Sequence, residues 1–309
     1  MSAEPTSDVV IIGAGPAGLA AGLYTGRGRF KTLVLEKAIP GGQILLTDWV
    51  ENYPGFPEGI APFEMIENFR KQAEKFGSVI ETDEAKSLRR EEDLWVVGGQ
   101  QKEYAARAVV IATGAAYRKL GIPNEERLTG KGVSYCATCD GPFFRDAAVA
   151  VVGGGDNALT EAGLLTKFCR KLYVIHRRDQ FRAIKILQER VFANPKIEVL
   201  WNCVLESAEG ENHLERVIVR NLKENRTYPL PLDGLFVSIG MDPHTEFLKG
   251  VVALNDWGEV KVDSRMATDQ PGVYAAGDVA DACPKQVATA VGAGVSAALS
   301  VNEFLESLV

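Results

Sequence analysis

Cys136 and Cys139 stand three positions apart in Cys136-Ala137-Thr138-Cys139, a spacing at which two sulfurs can make and break a short-loop disulfide. Asp140 follows directly. A carboxylate beside a thiolate is placed to supply and remove a proton, although an acid there can also serve as a helix-start residue. In an intracellular α/β chain a C-x-x-C pair is a redox dithiol or half of a zinc site, with a purely structural pair as the third reading. Zinc needs two further ligands at tight spacing. The chain has no second C-x-x-C, and the nearest histidine, His176, belongs to another pattern. The expectation is redox chemistry at Cys136, Cys139 and Asp140, with no metal.

Two copies of one glycine pattern flank the pair. Val9-Val10-Ile11-Ile12 runs into Gly13-Ala14-Gly15-Pro16-Ala17-Gly18, and Val149-Ala150-Val151-Val152 runs into Gly153-Gly154-Gly155-Asp156-Asn157-Ala158. A strand, a glycine turn and a helix start bring backbone N–H groups up to a pyrophosphate. One G-x-G-x-x-G carries little weight; two in strand-to-helix context, with a dithiol between them, point to two dinucleotides and a disulfide on one electron path.

The copies differ where each second strand ends. Glu36 lies 18 residues after Gly18, and the same count from Ala158 reaches His176, followed by Arg177 and Arg178, with Arg182 a helical turn later. This terminus meets the adenosine ribose, where a carboxylate hydrogen-bonds the hydroxyls. Glu36 fits a nucleotide with a free 2′-OH, such as FAD or NAD. Arginine forks match a 2′-phosphate, so the second half should prefer NADPH over NADH. A solvated basic helix start is the plainer alternative. Gly277-Asp278, after a hydrophobic strand, offers an acid to a polyol such as ribitol or caps a turn. Gly41-Gly42-Gln43 gives a backbone that a flat ring could approach.

The elements that must position these groups read as α/β. Residues 8–12 and Thr32-Leu33-Val34-Leu35-Glu36 form strands around a helix over 17–25, with helical apolar spacing at Phe63, Ile66, Phe69 and Phe76. A strand over 108–112 ends in Thr113-Gly114. A second unit repeats the order from Ala148, with strands at 171–175 and 235–240. A strand near 272–278 and a small-residue helix over 286–308 close the chain. The expected architecture is two Rossmann-like three-layer dinucleotide-binding domains, the second inserted in the first: 1–118 and 247–309 around 119–246.

With 309 residues the chain is long enough for two cores, and its 46% hydrophobic and 24% charged residues are ordinary for a globular enzyme. A net charge of −7 argues against nucleic acid as the main partner. No run reads as long and apolar enough to span a bilayer. The stretch from Val9 to Leu23 lacks the basic leader of a signal peptide, since Glu4 and Asp8 precede it without Lys or Arg. A cytoplasmic protein is expected. Cys169, Cys203 and Cys283 are scattered singly and read as free thiols.

Taken together, Gly13-Ala14-Gly15-Pro16-Ala17-Gly18, Gly41-Gly42-Gln43, Glu51-Asn52-Tyr53-Pro54-Gly55, Ala112-Thr113-Gly114, Cys136-Ala137-Thr138-Cys139-Asp140-Gly141, His176-Arg177-Arg178-Asp179 and Ala275-Ala276-Gly277-Asp278 resemble the low-molecular-weight, bacterial-type thioredoxin reductases over essentially the whole chain. The resemblance implies a homodimer of two-domain subunits, a non-covalent FAD and NADPH as donor. It implies hydride passing to the flavin, then to the Cys136–Cys139 disulfide, then by thiol exchange to a thioredoxin-like protein. FAD would be held by Gly13, Gly15, Pro16, Ala17, Gly18, Glu36, Gly42, Gln43, Asn52, Thr113, Gly114, Gly277, Asp278, Lys285, Gln286 and Val287. NADPH would be held by Gly153, Gly154, Gly155, Asp156, Asn157, Ala158, His176, Arg177, Arg178 and Arg182. Cys139 would lie nearer the flavin. Lys131, Phe143 and Phe144 flank the dithiol as partner-docking or core residues. In this family the second domain rotates between half-reactions, with Gly130-Lys131-Gly132 and Gly240–Pro243 as hinges.

Two departures stand out. Lys285-Gln286 occupies the place of an Arg-Gln pair, and Asp156-Asn157 with Thr160-Glu161 differ from common members. The nearest competing function is a related flavin dithiol oxidoreductase acting on another thiol protein or a small disulfide. A thiol oxidase or a ferredoxin-fed reductase would not need the three arginines.

Overall fold

The computed structural model describes residues 6–47, 49–282 and 284–308. Cys283 lies outside them. The chain forms two compact units, Met1–Ala116 with Asp242–Val309, and Tyr117–Met241. It therefore passes between them at 116/117 and 241/242, somewhat before the breaks read from sequence.

The first unit begins with β1 (Ser7–Ile12), α1 (Pro16–Arg27), β2 (Thr32–Glu36), α2 (Pro62–Lys75), β3 (Val79–Thr82), β4 (Ala85–Glu91), β5 (Leu94–Gly99) and β6 (Glu103–Ile111). The order β3-β2-β1-β6 is parallel, and β5 and β4 extend it antiparallel. β1 is apolar at successive positions because both of its faces are covered. Val9 and Ile11 pack toward α1 and α2, while Val10 and Ile12 pack against Leu88, Trp95 and Val97 of β4 and β5. The third layer is thus an antiparallel hairpin where a doubly wound sheet would carry a helix. On α2 the inward residues are Met65 and Ile66, and Phe63, read as part of the apolar stripe, is 66% exposed.

The chain leaves through β7 (Ala115–Tyr117). The second unit contains α3 (Glu125–Leu128), β8 (Val133–Ser134), α4 (Ala137–Asp140), β9 (Ala148–Val152), α5 (Asp156–Leu165), β10 (Lys171–His176), α6 (Lys185–Ala193), β11 (Ile197–Trp201), β12 (Cys203–Glu209), β13 (Arg216–Asn221), β14 (Arg226–Pro231) and β15 (Gly234–Val237). Its parallel sheet runs β11-β10-β9-β15-β8, and β12-β13-β14 form a separate antiparallel sheet. The alternation of the first unit recurs. Val149 and Val151 pack with Leu159 and Leu165 of α5, while Ala150 and Val152 pack with Leu205, Val217 and Val219 of the antiparallel sheet. Neither α6 nor the β12–β14 sheet is among the elements expected from sequence.

After β16 (Met241–Pro243), the first unit is completed by β17 (Val273–Ala275), parallel to β6, and by α7 (Val287–Glu306). α7 corrects one sequence expectation: by length and composition it could cross a membrane. Its apolar character has a local cause, since Ala290, Ala293, Ala297, Ala298 and Val301 are buried in the core that also holds Ala17 and Leu19 of α1. The two helices meet backbone to backbone, and a Cβ on Gly294 would fall inside contact distance of the Ala17 carbonyl.

Gly130-Lys131-Gly132 is not a crossing point. It lies within the second unit, where Leu235 N–H donates to the Gly132 carbonyl and Gly132 packs on Leu214. Gly240–Pro243, the other expected hinge, does coincide with a crossing.

Because the α1–α7 contact has no room for a side chain, Gly294→Val should destabilise the first unit by about 1–3 kcal/mol through overpacking. Urea unfolding followed by tryptophan fluorescence would measure the loss.

Candidate active site

Each glycine turn is built by close packing of three backbone segments. In the first unit, a Cβ on Gly13 would strike the Ala112 carbonyl and one on Gly18 the Gly13 carbonyl, so neither position admits a larger residue. Gly13 also has φ +108°, which favours glycine. Gly15 caps the N-terminus of α1 and Pro16 opens it. Where a Gly15 Cβ would stand, the nearest atom is the Gly41 carbonyl oxygen at 3.7 Å, and Gly41 N–H donates to the Ala14 carbonyl at 2.9 Å. The Gly41–Gln43 loop therefore lies alongside the first glycine turn.

Glu36, at the end of β2, accepts from Ala14 N–H at 2.9 Å and from Ala38 N–H at 3.1 Å. Its carboxylate ties the strand end to the turn. Beside it opens a cleft of about 440 Å³, lined by Gly13, Glu36, Lys37, Ala85, Lys86, Thr113 and His244 among others. Of the sequence candidates, Gly13, Glu36 and Thr113 line this cleft. Lys37, Ala85, Lys86 and His244 were missed. The first three follow strand ends next to Glu36, where the rule that ligands sit beyond the carboxyl ends of parallel strands could have found them. His244 carries no sequence signal. It is placed by its backbone, with His244 N–H donating to the Gly114 carbonyl at 3.0 Å and Thr113 Oγ1 donating to the His244 carbonyl at 2.9 Å. Burial, with the Lys37 charge, holds its imidazole below the usual pKa.

The other candidates of this unit form a second group around α1 and α7. Gly277, at φ +78°, sits against Ala17. Asp278 follows it, and burial pushes its carboxyl upward. Lys285 is fully engaged: its Nζ donates to the Asp278 and Ala280 carbonyls at 2.9 and 3.0 Å and pairs with Glu259 at 2.9 Å. Gln286 caps α7 reciprocally with Thr289, Val287 follows as the first helical residue, and Asn52 Nδ2 donates to Gln286 Oε1 at 3.2 Å.

In the second unit, Gly155 caps α5 and has nothing within 4 Å where its Cβ would stand. That open room before the helix N-terminus is the shape of a phosphate cradle. Gly153 packs against Ala158 and Ser238. Asp156 would repel an anion there, but its Oδ1 accepts from Ile184 N–H at 2.8 Å. Arg182 N–H donates to the Gly154 carbonyl at 2.8 Å, so the arginine segment is bound to the glycine turn at two points. Asn157 is exposed, as are Arg177, Arg178 and Arg182, and none of the three arginines has an ion pair among the described residues. Glu161, on the same helix, is pushed up to about 7 by burial, against the opposing hydrogen bond from Ser238.

His176 is buried, 6% exposed. Its Nε2 is paired with the Gln180 carbonyl at 3.0 Å, and its ring fills the space where a Gly154 Cβ would be. It braces both loops from beneath.

The cysteine pair is a disulfide with Cα atoms 5.3 Å apart. Cys136 is the N-cap of the single turn α4, and Cys139 N–H donates to its Sγ at 3.2 Å. An N–H directed at a sulfur favours negative charge on it. Asp140, one turn on from Cys136, accepts from Ser134 Oγ at 2.6 Å, and Ser134 Oγ accepts from Cys136 N–H at 3.1 Å. Ser134 was not among the sequence candidates. Phe143 is 53% exposed, whereas Phe144 packs edge-on against Phe236, and Lys131 is exposed. Cys169 and Cys203 are buried free thiols. No cluster able to hold a metal occurs among the described residues.

Comparisons with known proteins agree with this geometry. The chain matches the pyridine nucleotide-disulphide oxidoreductase family over residues 7–294. It is 44% identical to a thioredoxin reductase of Streptomyces coelicolor, covering 97% of this chain and 94% of that protein. It is 42% identical to one of Bacillus subtilis, covering 100% and 98%. The crystal structure of thioredoxin reductase from Streptococcus pyogenes superposes with a TM-score of 0.94 at 41% identity, covering 97% and 98%.

Burial keeps the His176 imidazole neutral, with its pKa below the ordinary value, and the Arg178 and Arg182 charges add to this. The unfolded chain takes up a proton near pH 6.5 and the folded chain only at lower pH, so the unfolded state binds more protons between the two. Stability therefore falls as pH drops below about 6.5 and levels off below the folded pKa. His176→Gln should reduce the stability difference between pH 7.5 and pH 5.5 in denaturant titrations.

Proposed function

The chain belongs to the pyridine nucleotide-disulphide oxidoreductase family and, within it, to the thioredoxin reductases; from that premise we propose that it uses NADPH and FAD to reduce the disulfide of a thioredoxin-like protein through Cys136 and Cys139. The observation that carries this reading is the Cys136–Cys139 disulfide, with Asp140 beside it, in the unit that also bears the Arg177–Arg178–Arg182 segment. Both nucleotide sites fit their groups. FAD belongs to the first unit, with Gly13 and Gly18 closing the tight turn that sets the start of α1 before its pyrophosphate, Gly15 lying at that helix start, and Glu36 facing a ribose free of phosphate. NADPH belongs to the second, with the room at Gly155 for its pyrophosphate and the three arginines for its 2′-phosphate. When bound, the two cofactors supply hydride transfer, and with it the electron pair that reduces the disulfide.

The remaining chemistry belongs to the chain. Reduced Cys136 and Cys139 are two thiols. One loses its proton to Asp140, and its thiolate attacks the partner's disulfide, forming a mixed disulfide and releasing one partner thiolate. Asp140 returns the proton to that leaving sulfur. The second thiol then gives its proton to Asp140 in turn, and its thiolate attacks the mixed disulfide at the chain's own sulfur, which restores Cys136–Cys139; Asp140 passes the proton to the partner's departing sulfur, and the partner leaves as a dithiol. A homodimer in the cytoplasm completes the reading. Two buried free thiols, Cys169 and Cys203, suit a reducing compartment.

Changing either cysteine to Ser should leave FAD bound and its reduction by NADPH intact, while thioredoxin turnover falls to near zero. Stopped-flow flavin bleaching beside a steady-state thioredoxin assay reads both, and substantial turnover in Cys136→Ser would overturn the mechanism.

Arg177→Ala combined with Arg178→Ala should raise KM for NADPH, with about 1.5–3 kcal/mol lost for each charged hydrogen bond removed. NADH turnover should change little. Equal losses with the two nucleotides would assign the arginines to folding alone.

A further inference from the structure

We propose that Ser134 is a positioning residue for the dithiol step, its hydroxyl holding the Asp140 carboxylate in the orientation from which the proton is taken and returned. The inference rests on the reading of Asp140 as proton carrier given above. Ser134 ends β8, a strand of two residues paired in parallel with β15, where it faces Phe236. It is 5% exposed, so its hydroxyl needs partners within the protein. A serine hydroxyl has one proton to give and lone pairs to receive. Here the proton goes to Asp140 Oδ2 at 2.6 Å, the short distance of a hydrogen bond to a charged acceptor, and a lone pair receives Cys136 N–H at 3.1 Å. One buried atom thus joins the backbone of the first cysteine to the carboxylate one turn later. Asp140 N–H closes the same turn by donating to the Cys136 carbonyl at 3.0 Å.

The consequence is mechanical. An aspartate side chain has two rotatable bonds, and a carboxylate that samples several rotamers spends part of its time out of reach of the sulfurs. With Oδ2 fixed to a residue of the parallel sheet, the side chain is set by the core and not by the short helix that carries it. Serine supplies this hold without a charge of its own. It leaves the thiol-exchange steps unchanged in atoms and electrons, because its proton remains on Oγ throughout.

The test uses the flavin-loaded, full-length enzyme, with the flavin-bleaching phase as internal control. Ser134→Ala should lower kcat for thioredoxin reduction about tenfold, corresponding to loss of one well-made hydrogen bond near 1.4 kcal/mol. KM for thioredoxin and the bleaching phase should stay at wild-type values. Ser134→Gly, read in the same way, covers a defect of packing at the alanine. In an Asp140→Asn background Ser134→Ala should add nothing, since a misplaced carboxamide has no proton to carry. Wild-type kcat in both Ser134 variants, with Asp140→Asn slow, overturns the role of Ser134 alone. So does a Ser134→Ala effect that multiplies with that of Asp140→Asn. Normal kcat in Asp140→Asn overturns the proton-carrier reading and this inference with it.

Discussion

Everything in this molecule that can hold a nucleotide depends on how closely a strand, a turn and a helix start approach one another. At Gly13, Gly18 and Gly153 the space for a β-carbon is already taken by backbone or by a small side chain. That contact fixes where α1 and α5 begin, and hence where their first unpaired N–H groups point. At Gly155 the same turn is open instead, and at Gly15 it meets only the Gly41 carbonyl oxygen at 3.7 Å. Tight packing on one side and vacant room on the other is what makes the pattern a cradle and not merely a bend. The strands feeding it can be uniformly apolar because both faces of each sheet are covered, by helices on one side and antiparallel strands on the other.

The two cradles handle charge differently. In the first, Glu36 accepts from the Ala14 and Ala38 N–H groups, one on each oxygen, and keeps further acceptor sites open, whereas Lys285 places its ammonium on two carbonyls and Glu259. Glu36 thus anchors the turn without being used up by it. In the second, Asp156 is consumed by the N-cap residue of α6 and His176 is buried and neutral, while Arg177, Arg178 and Arg182 stand exposed. With the one acid of the turn turned toward the Ile184 N–H, the three exposed arginines are the cations nearest the open side of the turn. This is the physical basis for the cofactor preference proposed here.

What the sequence disclosed follows from which signals are local. The β1–α1–β2 and β9–α5–β10 units were readable because a buried apolar strand, a glycine turn and a second-strand terminus lie within about thirty residues of one another, and each has a side-chain signature. The β12–β14 sheet was not read, because its short strands belong to no glycine turn or second-strand terminus and carry charged residues such as Glu206, Arg216 and Arg226, although their alternation is that of half-buried strands. The hinge read at Gly130–Gly132 failed for a different reason. Glycine with positive φ marks a turn in the backbone, and here the turn is packed against Leu214. His244 reaches the first cleft from a distant segment, so no spacing rule could collect it. Ser134 was two residues from a cysteine already singled out, yet its significance lies in a bond to Asp140 that only the folded turn creates.

That last case bears on how the dithiol is held. α4 is one turn long, too short to be stable on its own hydrogen bonds. Its geometry must be imposed from outside, and the structure shows the means. Ala137 is buried in the core that includes Val149 and Phe236, while Ser134 on the neighbouring short strand clasps both ends of the turn. The disulfide can then open and close with its flanking residues anchored, and the two sulfurs need move only about their own side-chain bonds. A dithiol mounted on a mobile loop would have to reorder its backbone at each cycle, at a cost of about 1–2 kcal/mol for every residue fixed. Mounting it on a turn pinned to the sheet removes that cost from every turnover, so the parallel core serves the chemistry as directly as the cysteines do.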